Sequence, residues 1–212
     1  MPQSSDLVAI DIGSRSICAY AAERLSDDAF TVKASCEIEY DGYYEGRWVK
    51  SDEVLPSIFK LLDKLERSLG KIKTVYVGIP SDFCEVRTLY DKTSFPKAKR
   101  IIASDLDEIF DYNDPFSEGA YERISVRPVS FVGDGGERLE DPIGELSSSL
   151  KSHLSYVGAA KEILAPLRNG LMRHGVKTVR FIPAEYAAAQ VLFGKEELAG
   201  GVLLAEIGRA HV

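Results

Sequence analysis

Cysteine is scarce in this chain, and what there is does not pair. Cys18, Cys36 and Cys84 are odd in number and widely spaced. They match neither a disulfide framework nor the spacings of zinc and redox sites, which implies reduced thiols in a cytosolic protein. Histidine is equally sparse. His153, His174 and His211 lie at no ligand spacing from one another, so no metal centre is expected from them. No apolar run approaches the length of a membrane span. The opening residues, 1–6, are short and polar, unlike a secretory signal with its basic start and apolar centre. Lys and Arg number 26 against 33 Asp and Glu, for a net charge of -7, which argues against nucleic acid or an anionic lipid surface as partner. What is present is a 45% hydrophobic content over 212 residues, enough for one sizeable core or two small ones.

The most informative stretch is Asp6-Leu7-Val8-Ala9-Ile10-Asp11-Ile12-Gly13-Ser14-Arg15-Ser16. An apolar run ends in a carboxylate, small and hydroxyl residues follow, and a second apolar run begins at Ile17. This reads as two strands joined by a tight turn. Gly13 removes the side chain that would block close approach of a phosphate tail. The amides and hydroxyls of Ser14 and Ser16 can point at phosphate oxygens. Asp11 cannot touch phosphate favourably, but it can hold magnesium through water. A plain β-hairpin with a Gly-Ser turn fits the same residues, because short glycine motifs recur by chance.

Three strands open the chain: 7–12, 16–24 and 30–38, with Ser26-Asp27-Asp28 as a turn. The connector 40–46 is rich in tyrosine, and Tyr43 and Tyr44 are candidates either for a binding surface or for packing under a loop. A helix is expected over 51–69, with Ser51 as N-cap and Val54, Leu55, Ile58, Leu61, Leu62, Leu65 and Leu69 on one apolar face. A buried strand over 74–79 stops at Pro80. From 81 to 156 the pattern becomes strand (84–90), short acidic helix (104–110, capped by Ser104), strand (124–132) and strand (146–157), the order of a small α+β unit. A helix (159–174), a strand (178–182), an alanine-rich helix (184–193) and a strand (201–205) complete the reading.

Asp11-Ile12-Gly13-Ser14-Arg15 resembles the first phosphate motif of the actin-like ATPase superfamily, and its Ser-Arg form resembles the FtsA family of bacterial cell-division proteins. The position of the α+β unit after the fourth strand, the turn Asp141-Pro142-Ile143-Gly144, and Pro183-Ala184-Glu185 resemble FtsA as well. The resemblance implies an α/β fold: a partial actin-like (ribonuclease H-like) subdomain with a mixed sheet, subdomain 1A, over 1–80 and 157–205. A small inserted α+β subdomain, 1C or SHS2-like, would occupy 81–156. It implies ATP and magnesium as the cofactors of the full-length parent, with Asp11, Gly13, Ser14, Arg15 and Ser16 forming one half of the phosphate clamp. It implies self-polymerisation, tethering of FtsZ filaments, and a place in the cytoplasm at the inner face of the membrane. Contact with that membrane would run through a C-terminal amphipathic helix that these residues do not include.

Two features depart from that family. FtsA carries lysine two residues beyond the position of Ser16, and Cys18 stands there; a neutral thiol cannot pair with phosphate as lysine does. A second phosphate loop should follow residue 205, yet Glu206-Ile207-Gly208-Arg209-Ala210-His211-Val212 offers no Gly, Ser or Thr after Gly208. The same seven residues match a common sequencing adapter translated in frame, so 206–212 is expected to be a non-native tail. This chain alone is therefore expected to bind little or no ATP and to hydrolyse none, with at most a weak ATPase in the parent. A PilM-like pilus-assembly ATPase and a kinase of the same superfamily remain alternative readings.

Overall fold

The structure is a computed structural model and describes residues 7–26 and 29–205. In chain order the elements are β1 (Leu7–Ile12), β2 (Ser16–Ser26), β3 (Ala29–Glu39), the two-residue strands β4 (Tyr43–Tyr44) and β5 (Arg47–Trp48), and α1 (Ser51–Leu69). They continue with β6 (Thr74–Ile79), β7 (Cys84–Arg100), α2 (Ala103–Tyr112), β8 (Tyr121–Val132), β9 (Arg138–Leu139) and β10 (Leu146–Ala160). α3 (Lys161–His174), β11 (Thr178–Pro183), α4 (Ala184–Leu192) and α5 (Lys195–Gly200) complete the series. Two compact units result, one from residues up to Cys84 together with those from Lys161 onward, the other from 85–160.

The first unit is built on a five-stranded sheet in the order β11-β6-β1-β2-β3. β1, β2 and β3 form the expected antiparallel meander. β6 lies parallel beside β1 with Val8 opposite Val75, and β11 lies parallel beside β6, so the sheet is mixed. Period-two alternation decides which face is covered. Val8, Ile10 and Ile12 are buried, as are Ile17, Ala19 and Ala21 on β2 and Val75 and Val77 on β6. The apolar stripes of α1 (Val54, Ile58, Leu61, Leu62, Leu65) and of α3 (Ile163, Leu164, Leu167, Leu171) are buried as well. Asp11 is out of phase with Ile10 and Ile12 and projects from the opposite face.

The second unit has a four-stranded sheet in the order β7-β10-β8-β9. Its own core joins Ile101, Leu106, Ile109, Phe116, Phe131, Leu150, Leu154 and Tyr156, so α2 packs within this unit. The Asp141-Pro142-Ile143-Gly144 turn is tied to Ile101 by a hydrogen bond from Gly144 N–H to the Ile101 carbonyl at 2.8 Å and another from Ile101 N–H to Glu145 at 2.9 Å.

Several local expectations need correction. Ser51 is the first residue of α1 rather than its cap; Lys50 precedes it in extended conformation without a side-chain cap. Ser104 does not cap α2 either. The Asp105 carboxylate, in the third helical position, accepts from the N–H of the cap residue Ile102 at 3.0 Å and from Lys99 Nζ at 2.6 Å, a charged back-bond to the helix start in place of a serine cap. Residues 201–205 carry no regular structure. Gly201, at φ 91, ends the unexpected helix α5, and among the described residues no strand offers 201–205 a ladder. The Asp27-Asp28 part of the first turn and the 206–212 tail lie outside the described residues.

Candidate functional site

The β1–β2 turn is closed by a hydrogen bond from Gly13 N–H to the Ser16 carbonyl at 3.0 Å. Beside it opens a cavity of about 310 Å³ lined by Asp11, Gly13, Tyr43, Pro80, Glu185 and Ala188 among others. β1 brings Asp11 to the cavity; α4 brings Glu185 in its first turn. Gly78, opposite Asp11 on β6, lets these elements meet. A Cβ there would lie 3.3 Å from the Ala184 Cβ, so α4 would have to give by a few tenths of an ångström, and would be in ordinary contact with Asp11 Oδ1 at 3.4 Å.

Glu185 is fixed in place. Its Oε1 accepts from the Ser81 N–H at 3.0 Å and from the Ser81 hydroxyl at 3.1 Å. Asp11 is held above the usual carboxylate pKa, first by reduced hydration and then by the negative charge of Glu185. Two carboxylates that repel each other across one cavity form an all-oxygen donor set that a hard divalent cation neutralises, so these residues suit magnesium.

The other expected residues are placed differently. Ser14, Arg15 and Ser16 form the turn but do not line the cavity. Arg15 pairs with Glu39 at 2.9 Å, with both side chains about 70% exposed or more (70% and 73%). A pair so exposed is worth little and leaves Arg15 able to change partners. Cys18 sits directly across from Asp11 on β2, where a lysine would stand next to that carboxylate. Burial raises its thiol pKa, so it offers no charge in place of that lysine.

Two residues at the site were not singled out by the sequence, and a third was named only within a motif. Glu185 entered through Pro183-Ala184-Glu185, with no role of its own. Gly78 lay inside a buried strand. Tyr40 donates its hydroxyl to the Gly13 carbonyl at 2.8 Å; the cluster of aromatics in the connector was its only signal.

The chain is 24% identical over 204 residues to the cell division protein FtsA of Bacillus subtilis (strain 168), and 25% identical over 219 residues to FtsA of Streptococcus pneumoniae. These matches cover 95% and 98% of the chain. The chain is FtsA-like. It spans about half the length of these curated relatives, 46% of each. No protein-family model matches the FtsA-like chain. Among solved structures, the PilM-PilN type IV pilus biogenesis complex superposes with a TM-score of 0.55 at 12% identity, over 88% of this chain and 49% of that one. The fold is α/β with a mixed sheet, and it is the fold that this pilus-biogenesis structure shares.

Proposed function

We propose that this chain carries the first phosphate wall of an FtsA-like cell-division protein that binds ATP with magnesium. The observation that supports it is the meeting of Asp11, Gly13 and Glu185 at one cavity beside the β1–β2 turn. Asp11, seconded by Glu185, would hold magnesium, which supplies positive charge to phosphate oxygens. The turn residues Gly13, Ser14, Arg15 and Ser16 would face the phosphates, with backbone amides as donors. No residue of this chain is assigned as a general base. The first unit corresponds in this reading to subdomain 1A and the second to the inserted subdomain 1C. Self-assembly, tethering of FtsZ filaments and residence at the inner face of the membrane belong to the complete protein.

The test is a titration of the isotope-labelled chain with Mg·ATP, followed by amide resonances. Expected are shifts confined to the β1–β2 turn and the start of α4, saturating in the millimolar range. Shifts spread elsewhere, or none at all, would refute the reading. Sequence similarity favours FtsA over the pilus alternative, since the PilM likeness is one of fold.

A further inference from the structure

The β1–β2 turn is braced from outside as well as by its own closing hydrogen bond. Three consecutive carbonyls of the turn face one short segment of chain, residues 40–42. The Gly13 carbonyl accepts from the Tyr40 hydroxyl at 2.8 Å. The Arg15 carbonyl accepts from the Tyr40 N–H at 3.1 Å. Between them the Ser14 carbonyl packs so closely on Gly42 that a Cβ at Gly42 would overlap it. Gly42 has φ 75, a conformation in which a larger residue is strained.

In a trans peptide the N–H points opposite to the C=O of the same unit. Fixing the carbonyls of residues 13, 14 and 15 toward the 40–42 segment therefore directs the amides of Ser14, Arg15 and Ser16 away from it. Successive amides turned to one side make an anion-binding concavity. The weak point is the Gly13–Ser14 peptide, because glycine permits the rotation that would flip it. A flip would present a carbonyl oxygen where a donor is needed.

We propose that Tyr40 is the positioning residue of this site: its hydroxyl locks the Gly13–Ser14 peptide so that the turn presents donors to a polyphosphate. This rests on the phosphate reading given above. The segment is itself anchored. Tyr40 is 8% exposed and its ring lies 6.5 Å from that of Trp48. Trp48 and Tyr43 both pack on Phe83, at 4.5 and 5.1 Å between ring centroids. At Gly46 a Cβ would come within 2.7 Å of the Asp82 carbonyl. The strap thus runs from the phosphate turn to the turn after β6, and both ends adjoin the same cavity. Burial pushes the Tyr40 phenol pKa well up, so its hydroxyl remains a neutral donor.

The experiment compares the full chain with Tyr40→Phe, which keeps the ring and loses the hydroxyl, and with Tyr44→Phe as a control on the same hairpin. Each is titrated with Mg·ATP and with tripolyphosphate, a probe of phosphate alone, while amide resonances and thermal midpoints are recorded. Tyr40→Phe should weaken binding of both probes by about five- to tenfold, the scale of one hydrogen bond. Amide exchange at Ser14, Arg15 and Ser16 should quicken, while the thermal midpoint stays close to that of the control. In the wild type, with no substitution at all, the Tyr40 hydroxyl proton should exchange slowly and shift when either probe binds. Equal affinity in Tyr40→Phe and wild type, or amide shifts with no change at the Tyr40 hydroxyl, overturns the role of Tyr40 alone. Absence of turn shifts in the wild type overturns the phosphate reading beneath it.

Discussion

Two glycines with crowded surroundings should respond differently to alanine. At Gly158 in β10, an added Cβ would lie 2.8 Å from three atoms of the Phe116 ring. Phe116 is 3% exposed and belongs to the core of the second unit, so its rigid ring has nowhere to move. Overpacking of this kind costs about 1–3 kcal/mol, and the gain from removing a strand glycine returns about 0.5–1 kcal/mol. A net loss of about 1–2 kcal/mol follows for Gly158→Ala. At Gly170 in α3 the added Cβ would lie 2.5 Å from Leu55 Cδ2, but that atom is the end of a flexible, half-buried chain. The helix gains about 1 kcal/mol from alanine, which offsets the displaced leucine. Gly170→Ala is therefore expected within about 0.5 kcal/mol of wild type. Urea unfolding followed by far-ultraviolet circular dichroism measures both. Combining Gly158→Ala with Phe116→Ala should remove the clash, leaving the pair less destabilised than the sum of the two single changes by about 1 kcal/mol or more. A neutral Gly158→Ala, or strict additivity in the double variant, would refute the reasoning.

Other outcomes follow from the site. Glu185→Gln should lower the pKa of Asp11, read from carboxyl carbon resonances, because the glutamate charge is removed while Oε1 can still accept from Ser81. In the wild type, the raised pKa means that the folded state holds the Asp11 proton at pH values where the unfolded chain has lost it. This contribution therefore lowers stability as pH climbs from the ordinary carboxylate value through the raised one, and Glu185→Gln should flatten that fall. The Cys84 thiol, pushed up to about 12 by burial and then by Glu185, should react with iodoacetamide far more slowly at pH 8 than a free cysteine does; alkylation at the free rate would contradict its placement. Calorimetry should detect no micromolar ATP binding by this chain. In a complete protein, Asp11→Ala should weaken magnesium-dependent ATP binding, and Cys18→Lys should strengthen it; no gain from Cys18→Lys would mean that position 18 faces away from phosphate.

The meander and the helices were legible because their signals are local. The apolar run of β1, bounded by a turn, and the seven-residue apolar face of α1 each mark one element. Asp11 was legible for a local reason too, as the carboxylate that ends an apolar run just before a glycine and hydroxyl residues. The part that Glu185 and Gly78 play at the site was not. Their meaning comes from Asp11 lying between β6 and β2 and from α4 reaching the same place, a relation between residues far apart in sequence. The missed caps have a related cause. Serine is a good cap in isolation, but Asp105 reaches the Ile102 N–H with a full charge. Residues 201–205 have strand composition without a strand partner, and composition alone cannot supply one.

Ser81 and Glu185, hydrogen-bonded across the candidate site, are 104 residues apart. Between them lies all of the second unit, whose first and last strands, β7 and β10, are neighbours in one sheet. As an unstructured loop, that length would carry a large closure cost and slow the pairing of β11 with β6. Folded first, the insert removes most of its residues from the loop to be closed. The connectivity favours one order of folding, in which the second unit condenses before β11 pairs with β6 and α4 brings its glutamate to the aspartate. A lesion in the core around Leu150 and Tyr156 would delay assembly of a site to which neither residue contributes an atom.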